Sequence, residues 1–336
     1  MDSLLAILII PALAFIPMLL YALFLWWLDR YEKEPIRFIL AAFFWGAVPA
    51  VIFSLIAQVF LDIPLSSGAE LETELLGAGF IAPITEEPFK ALMLLFLVLR
   101  YRHEIDTPLD GILYGGLVGF GFASTENLFY FLSAYEMGGL RDVFLLALLR
   151  AVVFGLNHAL FTGCAGLGFA LALTAAHGWL RWSAPVLGLG LGIVLHAIHN
   201  AGAVLASVAC WPILVSLLSD WSGALGLVGL AIYLSFRERA WLVRYLTDEV
   251  EAGTISRPEY ETITSYRQRV AERSRALLQG NFARWWRLGK YYRLVSELAF
   301  ARRRLQAVGA DAETNRRIQR LRREILALQK ELSKGE

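Results

Sequence analysis

The stretch Phe80-Ile-Ala-Pro-Ile-Thr-Glu-Glu-Pro-Phe-Lys90 places two adjacent carboxylates and a lysine inside an apolar segment that runs from about Leu75 to Leu99. A segment of this length is typical of a transmembrane helix, so Glu86 and Glu87 are predicted near the middle of the bilayer. An ionised side chain at that depth costs about 2.5 to 3.5 kcal/mol on insertion scales. The stretch therefore predicts a membrane protein with a polar, functional site between its helices.

The local chemistry of the stretch supports this interpretation. Glu86 and Lys90 are spaced i,i+4 with the acid on the N-terminal side, which favours a helical ion pair, and Glu87 is then expected to face elsewhere. Pro83 and Pro88 each lack a backbone donor, which loosens the helix on both sides of the acid pair. Loosened backbone at membrane depth predicts a cavity that contains water. The alternative is that these side chains only clamp helices together, without chemistry.

Composition places the chain in the same class and divides it in two. Of the 336 residues, 57% are hydrophobic and 18% are charged, and the mean hydropathy is +0.54, which is too apolar for an ordinary soluble protein. Residues 237–336 hold 22 lysines and arginines against 13 acidic residues, a net charge of +9. We therefore expect a transmembrane core at 1–236 and a basic cytoplasmic helical region at 237–336.

The predicted fold class is all-α, with about seven transmembrane helices followed by a helical tail. The apolar segments are residues 4–28, 37–61, 75–99, 112–135, 143–175, 184–207 and 211–236. The connecting loops alternate between rich and poor in lysine and arginine. The positive-inside rule then predicts a protein of the cell membrane with its N-terminus outside and its tail in the cytoplasm.

The tail is expected to contain two amphipathic helices, at 282–307 and 313–332. Its Trp285-Trp286 and Tyr291-Tyr292 pairs lie among arginines, a pattern that allows contact with anionic lipid. A helical hairpin with a solvated basic face is the simpler interpretation, and nucleic-acid binding is not expected.

Four of the predicted spans carry polar residues at one depth. Besides the acid pair these are Glu126, Asn127, Asn157, His158, His196, His199 and Asn200. Independent structural roles would scatter such residues along the membrane normal, whereas one site between packed helices requires a common depth. His196, His199 and Asn200 share one helix face by their spacing. Glycines in the fourth and sixth spans allow the helices to approach closely.

Hydrolysis is the chemistry that these side chains allow. A carboxylate in a partly dry cavity is a competent general base for water, and histidine or asparagine can stabilise an oxyanion. Alternatively His158 and His196 with a carboxylate such as Glu126 hold a zinc ion whose bound water attacks. We favour the metal-free mechanism, because the zinc ligands would come from at least three spans and Asn200 suits an oxyanion donor. The cofactor is thus predicted as none or zinc.

Short motifs follow one another along residues 26–205. They are Asp29-Arg-Tyr-Glu-Lys-Glu-Pro35, Glu86-Glu-Pro-Phe-Lys90, Phe122-Ala-Ser-Thr-Glu-Asn127, His158 and His196-Ala-Ile-His-Asn200. This set resembles the PrsW-type intramembrane proteases, part of a superfamily that includes the CAAX-processing and bacteriocin-immunity membrane proteases. The resemblance implies an endopeptidase that cleaves a membrane-embedded protein, with an anti-sigma factor as the best-known substrate of the family.

The resemblance also implies roles for individual residues. By motif position Glu86 or Glu87 activates water, and His196 with Asn200 occupies oxyanion or ligand positions. Glu126 stands where the CAAX-type relatives carry a histidine, which leaves open whether their glutamate mechanism transfers. We predict catalytic roles for Glu86, Glu87, Glu126, His196 and Asn200, and supporting roles for Lys90, Asn127, His158 and His199.

Two other functions fit parts of the pattern. A transporter or proton-coupled channel also uses acids and histidines at the membrane midplane, but transporters often show two halves with matching broken spans, and no such pairing is seen here. A non-catalytic scaffold would need neither the acids nor the histidines.

The predicted topology can be tested with reporter fusions. A reporter placed after Glu336 should report the cytoplasm, and one inserted in the loop at 62–74, which has no lysine or arginine, should report the outside. Finding both reporters on the same side would refute the seven-span topology.

Overall fold

The computed structural model describes residues 2–31, 33–62, 70–174, 178–308 and 312–333. These residues form helices and no strand, which confirms the all-α prediction. The chain divides into two compact units, one of Met1–Leu28 with Glu34–Ala231 and one of Asp29–Lys33 with Ile232–Glu336. The functional division at residue 236 stays a prediction.

The first unit is built from long helices interrupted by π-helical turns. Its helices are α1 (Asp2–Leu28), α2 (Ile36–Trp45), α3 (Val51–Asp62), α4 (Glu70–Leu76), α5 (Ala82–Arg100), α6 (Pro108–Ala147), α7 (Asn157–Thr174), α8 (Gly178–Leu205) and the start of α9 (Trp211–Glu251). The π-helical turns are Gly46–Ala50, Gly77–Ile81 and Leu148–Val153. Such turns re-aim the side chains that follow them and are frequent at functional sites.

Within the described residues, five helical segments are long and apolar enough to cross a membrane, as expected for a polytopic membrane protein. They are Leu4–Leu28, Ile36–Leu61, Pro108–Thr174, Gly178–Leu205 and Trp211–Glu251. The 67-residue segment is broken at Gly139, whose φ of 72° favours glycine, so two of the predicted spans lie in it. Helix α5 is not among the five, since charged residues interrupt its apolar run. The count of seven stays a prediction.

Helices α6 and α7 touch through their backbones. Gly111, Gly115 and Gly119 form one stripe on α6 at i,i+4 spacing. A Cβ atom on Gly115 would lie 2.4 Å from the carbonyl oxygen of Thr162, and one on Gly119 would lie 2.2 Å from that of His158. No side chain fits at either position. The stripe therefore brings α7, with its polar residues, directly against α6.

The second unit is a helical domain with its own core. Its helices after α9 are α10 (Arg257–Ile263), α11 (Tyr266–Leu278), α12 (Phe282–Val308) and α13 (Ala312–Ser333). The last two confirm the pair predicted for the tail, and the junction at 309–311 lies outside the described residues.

Two buried charged side chains of this domain, Glu249 and Arg269, are held by several hydrogen bonds. Glu249 is buried and accepts hydrogen bonds from Arg302 and, at 2.7 and 2.9 Å, from Arg322. Arg269 is also buried and donates to the carbonyl oxygens of Tyr31 and Ile263. Burial lowers the pKa of the Arg269 guanidinium to about 10, so this group stays charged at neutral pH. The first-loop residue Tyr31 thus belongs to the tail domain and not to the membrane core.

The glycine stripe generates a stability prediction. Gly115→Val must push α6 and α7 apart, and we expect a loss of about 1 to 3 kcal/mol or more, with a fall of several degrees in melting temperature in detergent. Gly190→Val on α8 is the matched control, because a Cβ there meets nothing within 4 Å. Equal melting temperatures for the two variants would contradict the close α6–α7 contact.

Candidate active site

The acid pair lies where α5 begins, just after the π-helical turn Gly77–Ile81. Pro83 lies in the first turn of α5 and Pro88 lies inside the helix. Glu86, Glu87 and Lys90 are at most 7% exposed, so three ionisable side chains are buried within one and a half turns. Buried charges of this kind persist only when each is paired and hydrogen-bonded.

Lys90 is at the centre of the site. Its Nζ lies 3.2 Å from Glu86 Oε2, 2.8 Å from Glu87 Oε1 and 3.1 Å from His158 Nδ1, so its three N–H groups have three acceptors. The ammonium also lies 3.7 Å from the centre of the Phe122 ring. The ion pair expected between Glu86 and Lys90 is present. Glu87, expected to face elsewhere, also binds Lys90 through the i,i+3 spacing.

Glu87 is held from two further helices. His196 Nδ1 on α8 lies 3.0 Å from Glu87 Oε1, and the Thr162 hydroxyl on α7 donates to Oε2 at 2.9 Å. The ring of Phe161 stacks on that of His196 at 4.8 Å. The Glu87 carboxylate therefore ties α5, α7 and α8 together.

The contacts decide which nitrogen of each histidine carries the proton. A lysine ammonium can only donate, so His158 Nδ1 accepts from Lys90 and a neutral ring carries its proton on Nε2, which lies 2.7 Å from Glu126 Oε2. A carboxylate can only accept, so His196 Nδ1–H donates to Glu87. His196 Nε2 then keeps its lone pair, 3.9 Å from Glu86 Oε2.

Other predicted residues lie around this cluster and bind elsewhere. Asn200 donates to the carbonyl oxygen of Ala78 at 2.8 Å. His199 Nδ1 lies 2.7 Å from Asp220 Oδ2, and Asn157 donates to the same oxygen at 3.0 Å. Asp220 lies on α9 and is 1% exposed. His199 and Asn157 thus form a second buried polar group that joins α7, α8 and α9.

A cavity of 550 Å³ reaches the cluster from one side. Its lining includes Gln58, Glu86, Glu126, Tyr130 and Asn200. Glu87 does not line this cavity and is 0% exposed. The two adjacent acids therefore differ: Glu86 faces the cavity, and Glu87 faces the buried space between α5, α7 and α8.

Sequence reasoning missed four polar partners. Gln58 donates to Glu86 Oε1 at 3.2 Å, and Arg150 Nη2 lies 2.9 Å from Glu126 Oε2. Thr162 and Asp220 bind Glu87 and His199 as described. Arg150 and Asp220 carried a usable signal, since each is a charged residue inside an apolar segment. Thr162 and Gln58 carried none.

The cluster also fits a metal ion by its donor types. Glu86, Glu87, His158 and His196 offer ligand atoms that lie within 4.8 Å of one another. Two carboxylates and two imidazoles are a common zinc donor set. Both predicted histidine ligands belong to this cluster, whereas Glu126 binds the other nitrogen of His158. Lys90 already uses three of the four residues as acceptors, and an ion that needed the lone pair of His158 Nδ1 would compete with the ammonium for it.

Comparison with known proteins finds one family and several relatives for this chain. Residues 34–236 match the family described as PrsW family intramembrane metalloprotease. Protease PrsW of Geobacillus kaustophilus is 32% identical over 145 residues, which are 43% of this chain and 58% of the relative. The corresponding protein of Clostridioides difficile is 31% identical over 150 residues, 44% of this chain and 60% of the relative.

Protease PrsW of Bacillus subtilis is 33% identical over 122 residues, 36% of this chain and 51% of the relative. The chain thus spans only about half to three fifths of the length of these relatives. No solved structure gives a match. The matched family region covers more than half of the chain and contains the whole cluster around Lys90, and on this basis the chain belongs to the PrsW family of intramembrane metalloproteases.

Proposed function

We propose that this protein hydrolyses peptide bonds of membrane-embedded protein substrates at the cluster around Lys90. The observation that carries the proposal is a cluster of two buried carboxylates, a buried ammonium and two imidazoles, of which His196 is buried, beside a 550 Å³ cavity. Family membership supports this activity, since the curated relatives are named proteases. An anti-sigma factor is the candidate substrate that the motif resemblance suggests.

Glu86 is the proposed general base because it alone of the acid pair lines the cavity. Its carboxylate accepts a proton as water attacks the scissile carbonyl carbon, and it returns that proton to the leaving amide nitrogen as the C–N bond breaks. The Asn200 amide at the cavity wall is the donor available to the oxyanion, and the Lys90 ammonium, whose three N–H groups are in use, contributes its positive charge. Asn200 must first release the Ala78 carbonyl that it binds in this structure.

Glu87 has a supporting role in this mechanism. It is fully buried and bonds Lys90, Thr162 and His196, so it sets the positions of the cation and of one imidazole. Removing one partner of a buried charge network typically costs about 3 to 5 kcal/mol. We therefore expect Glu87 to matter for both the fold and the activity.

A metal-dependent mechanism uses the same residues differently. A zinc ion held by Glu86, Glu87, His158 and His196 would polarise the substrate carbonyl and supply an activated water. The metal-free alternative is supported by the Lys90 ammonium, which already places a positive charge between Glu86, Glu87 and His158. In either case Thr162 and Glu126 orient the groups that they bind.

We also propose that the tail domain lies in the cytoplasm and contacts anionic lipid. Leu278, Phe282 and Trp286 are 88%, 67% and 61% exposed around the turn between α11 and α12. Arg275 and Lys290 flank this apolar group, and Lys290 lies 5.8 Å from the Trp286 ring. Exposed apolar side chains flanked by cations suit the boundary of an anionic bilayer.

The role of Glu86 can be tested by neutralising each acid. Glu86→Gln should lose at least about 10²-fold in kcat with its melting temperature kept, as expected for a missing general base. Glu87→Gln should lose activity and melt at a lower temperature, because it leaves Lys90 with one buried anion fewer. The measurement is cleavage of a fluorogenic transmembrane peptide in detergent. To choose the peptide, new N-termini are labelled in membranes with and without active enzyme, and a cleavage site that is found only with active enzyme supplies the peptide sequence.

Glu72→Gln is the matched control, since Glu72 is an exposed acid on α4 outside the cavity lining. It should cleave like the unmodified protein. A Glu86→Gln variant that keeps kcat within about threefold would refute the assignment of the general base.

The metal question has its own test. Enzyme treated with a chelator until zinc is far below stoichiometric by elemental analysis should still cleave the peptide, because Lys90 supplies the positive charge. Lys90→Met should then abolish cleavage. Activity that disappears on chelation and returns with one equivalent of zinc would decide for the metalloprotease.

A further inference from the structure

Arg150 is a cation inside an apolar segment with no role assigned so far. It lies in the π-helical turn Leu148–Val153, between α6 and α7, and its side chain is 21% exposed. A charged residue at membrane depth costs about 2.5 to 3.5 kcal/mol on insertion scales, so its contacts must offset this cost. The π-helical turn re-aims its side chain toward the adjacent face of α6.

The guanidinium of Arg150 is held at three points on α6. Its Nη2 lies 2.9 Å from Glu126 Oε2, and its Nε donates to Asn127 Oδ1 at 2.9 Å. The centre of the Tyr130 ring lies 3.8 Å from the guanidinium carbon. A planar guanidinium with several donors can meet all three at once, which a lysine cannot do. Arg150 is therefore fixed in one orientation.

Glu126 shares one oxygen between Arg150 and the catalytic cluster. The same Oε2 atom that Arg150 contacts lies 2.7 Å from His158 Nε2. Because Lys90 requires His158 Nδ1 as an acceptor, Nε2 must carry the proton and needs an acceptor in this position. The Glu126 carboxylate is the group within reach of Nε2, and Arg150 is the cation beside it.

We propose that Arg150 is a positioning residue that acts through Glu126. It holds Glu126 as a carboxylate against His158, which keeps the Nδ1 lone pair directed at Lys90. Without Arg150, the Glu126 carboxylate would lose its fixed orientation and His158 could adopt the other tautomer. This inference rests on the proposed function, and it gives Glu126 an orienting role where the sequence predicted a catalytic one. Removal of such outer partners typically lowers activity about 10- to 100-fold.

A double-mutant cycle tests the inference with kcat and KM for the same transmembrane peptide. Arg150→Gln should lower kcat about 10- to 100-fold with KM changed less than about threefold. Glu126→Gln should lose at least as much. The double variant should be no worse than Glu126→Gln alone, because Arg150 then has no carboxylate to position. The control is Arg141→Gln. Arg141 is an exposed arginine near the end of α6, and this variant should behave like the unmodified protein.

Three outcomes would overturn the inference. They are unchanged kcat in Arg150→Gln, an effect confined to KM, and losses that multiply in the double variant. Arg150→Gln alone leaves the Glu126 carboxylate without its cation and so can prevent folding. The double variant removes both charges, and if only it folds, the comparison of its kcat with that of Glu126→Gln decides the question. Melting temperatures in detergent separate loss of fold from loss of chemistry.

A readout without catalysis separates this inference from the proposed function. The readout is the ¹⁵N NMR spectrum of protein labelled with ¹⁵N-histidine. The His158 signal is identified as the one that disappears in His158→Gln, and it should show a neutral ring protonated at Nε2. Arg150→Gln should shift this signal toward the other tautomer, and Arg141→Gln should not. If the unmodified protein cleaves no peptide, the proposed function is refuted, but a tautomer shift of His158 in Arg150→Gln would still support the positioning role. An unchanged tautomer in Arg150→Gln would refute the positioning role.

Discussion

One buried ammonium, that of Lys90, is the group on which the site depends. Its three N–H donors meet Glu86 and Glu87 on α5 and His158 on α7, so no donor is left unpaired. A cation in a membrane interior is tolerated only with such complete pairing. His196 on α8 joins through Glu87. Three helices are therefore bound to one charge, and loss of Glu87, the nearest anion to Lys90, would leave that charge poorly paired.

The network can form only because the helices around it approach closely. The glycine stripe on α6 brings the backbone of α7 into contact near His158 and Thr162. This contact lets Glu126 on α6 reach His158 on α7, at 2.7 Å. The π-helical turns on either side of the site then rotate Arg150 and the acid pair into place. The backbone of His158 and Thr162 thus packs against the glycine stripe, while the side chains of the same two residues bind the polar network.

Much of this arrangement follows from the sequence, and what does not follow has a physical reason. The depth of the polar residues could be read from the apolar segments, and their convergence on one cluster was predicted from that depth. The direction in which each residue faces could not be read. His199 and Asn200, on the expected face of α8, bind Asp220 and Ala78 instead of the acid pair. The rotation of a helix depends on its neighbours and on π-helical turns that leave no sequence period.

The same limit explains two contacts that the sequence did not predict, one at the acid pair and one in the tail. Glu87 was expected to face away from Lys90, yet the i,i+3 geometry is as short as the i,i+4 geometry once both are buried. The first-loop residue Tyr31 receives a hydrogen bond from Arg269 in the tail domain. Contacts across 238 positions of sequence leave no local pattern. Hydrophobic periodicity alone therefore could not reveal that the first loop belongs to the tail domain.

The two adjacent glutamates resolve a conflict between stability and reactivity. A general base must meet water and change its charge, whereas a buried ammonium requires an anion that keeps its charge. Consecutive residues on a helix point about 100° apart. Glu86 can therefore face the cavity while Glu87 faces the interior, where Thr162, His196 and Lys90 saturate it. With the permanent charge assigned to Glu87, Glu86 can take up and release a proton without unpairing the lysine that holds the helices together.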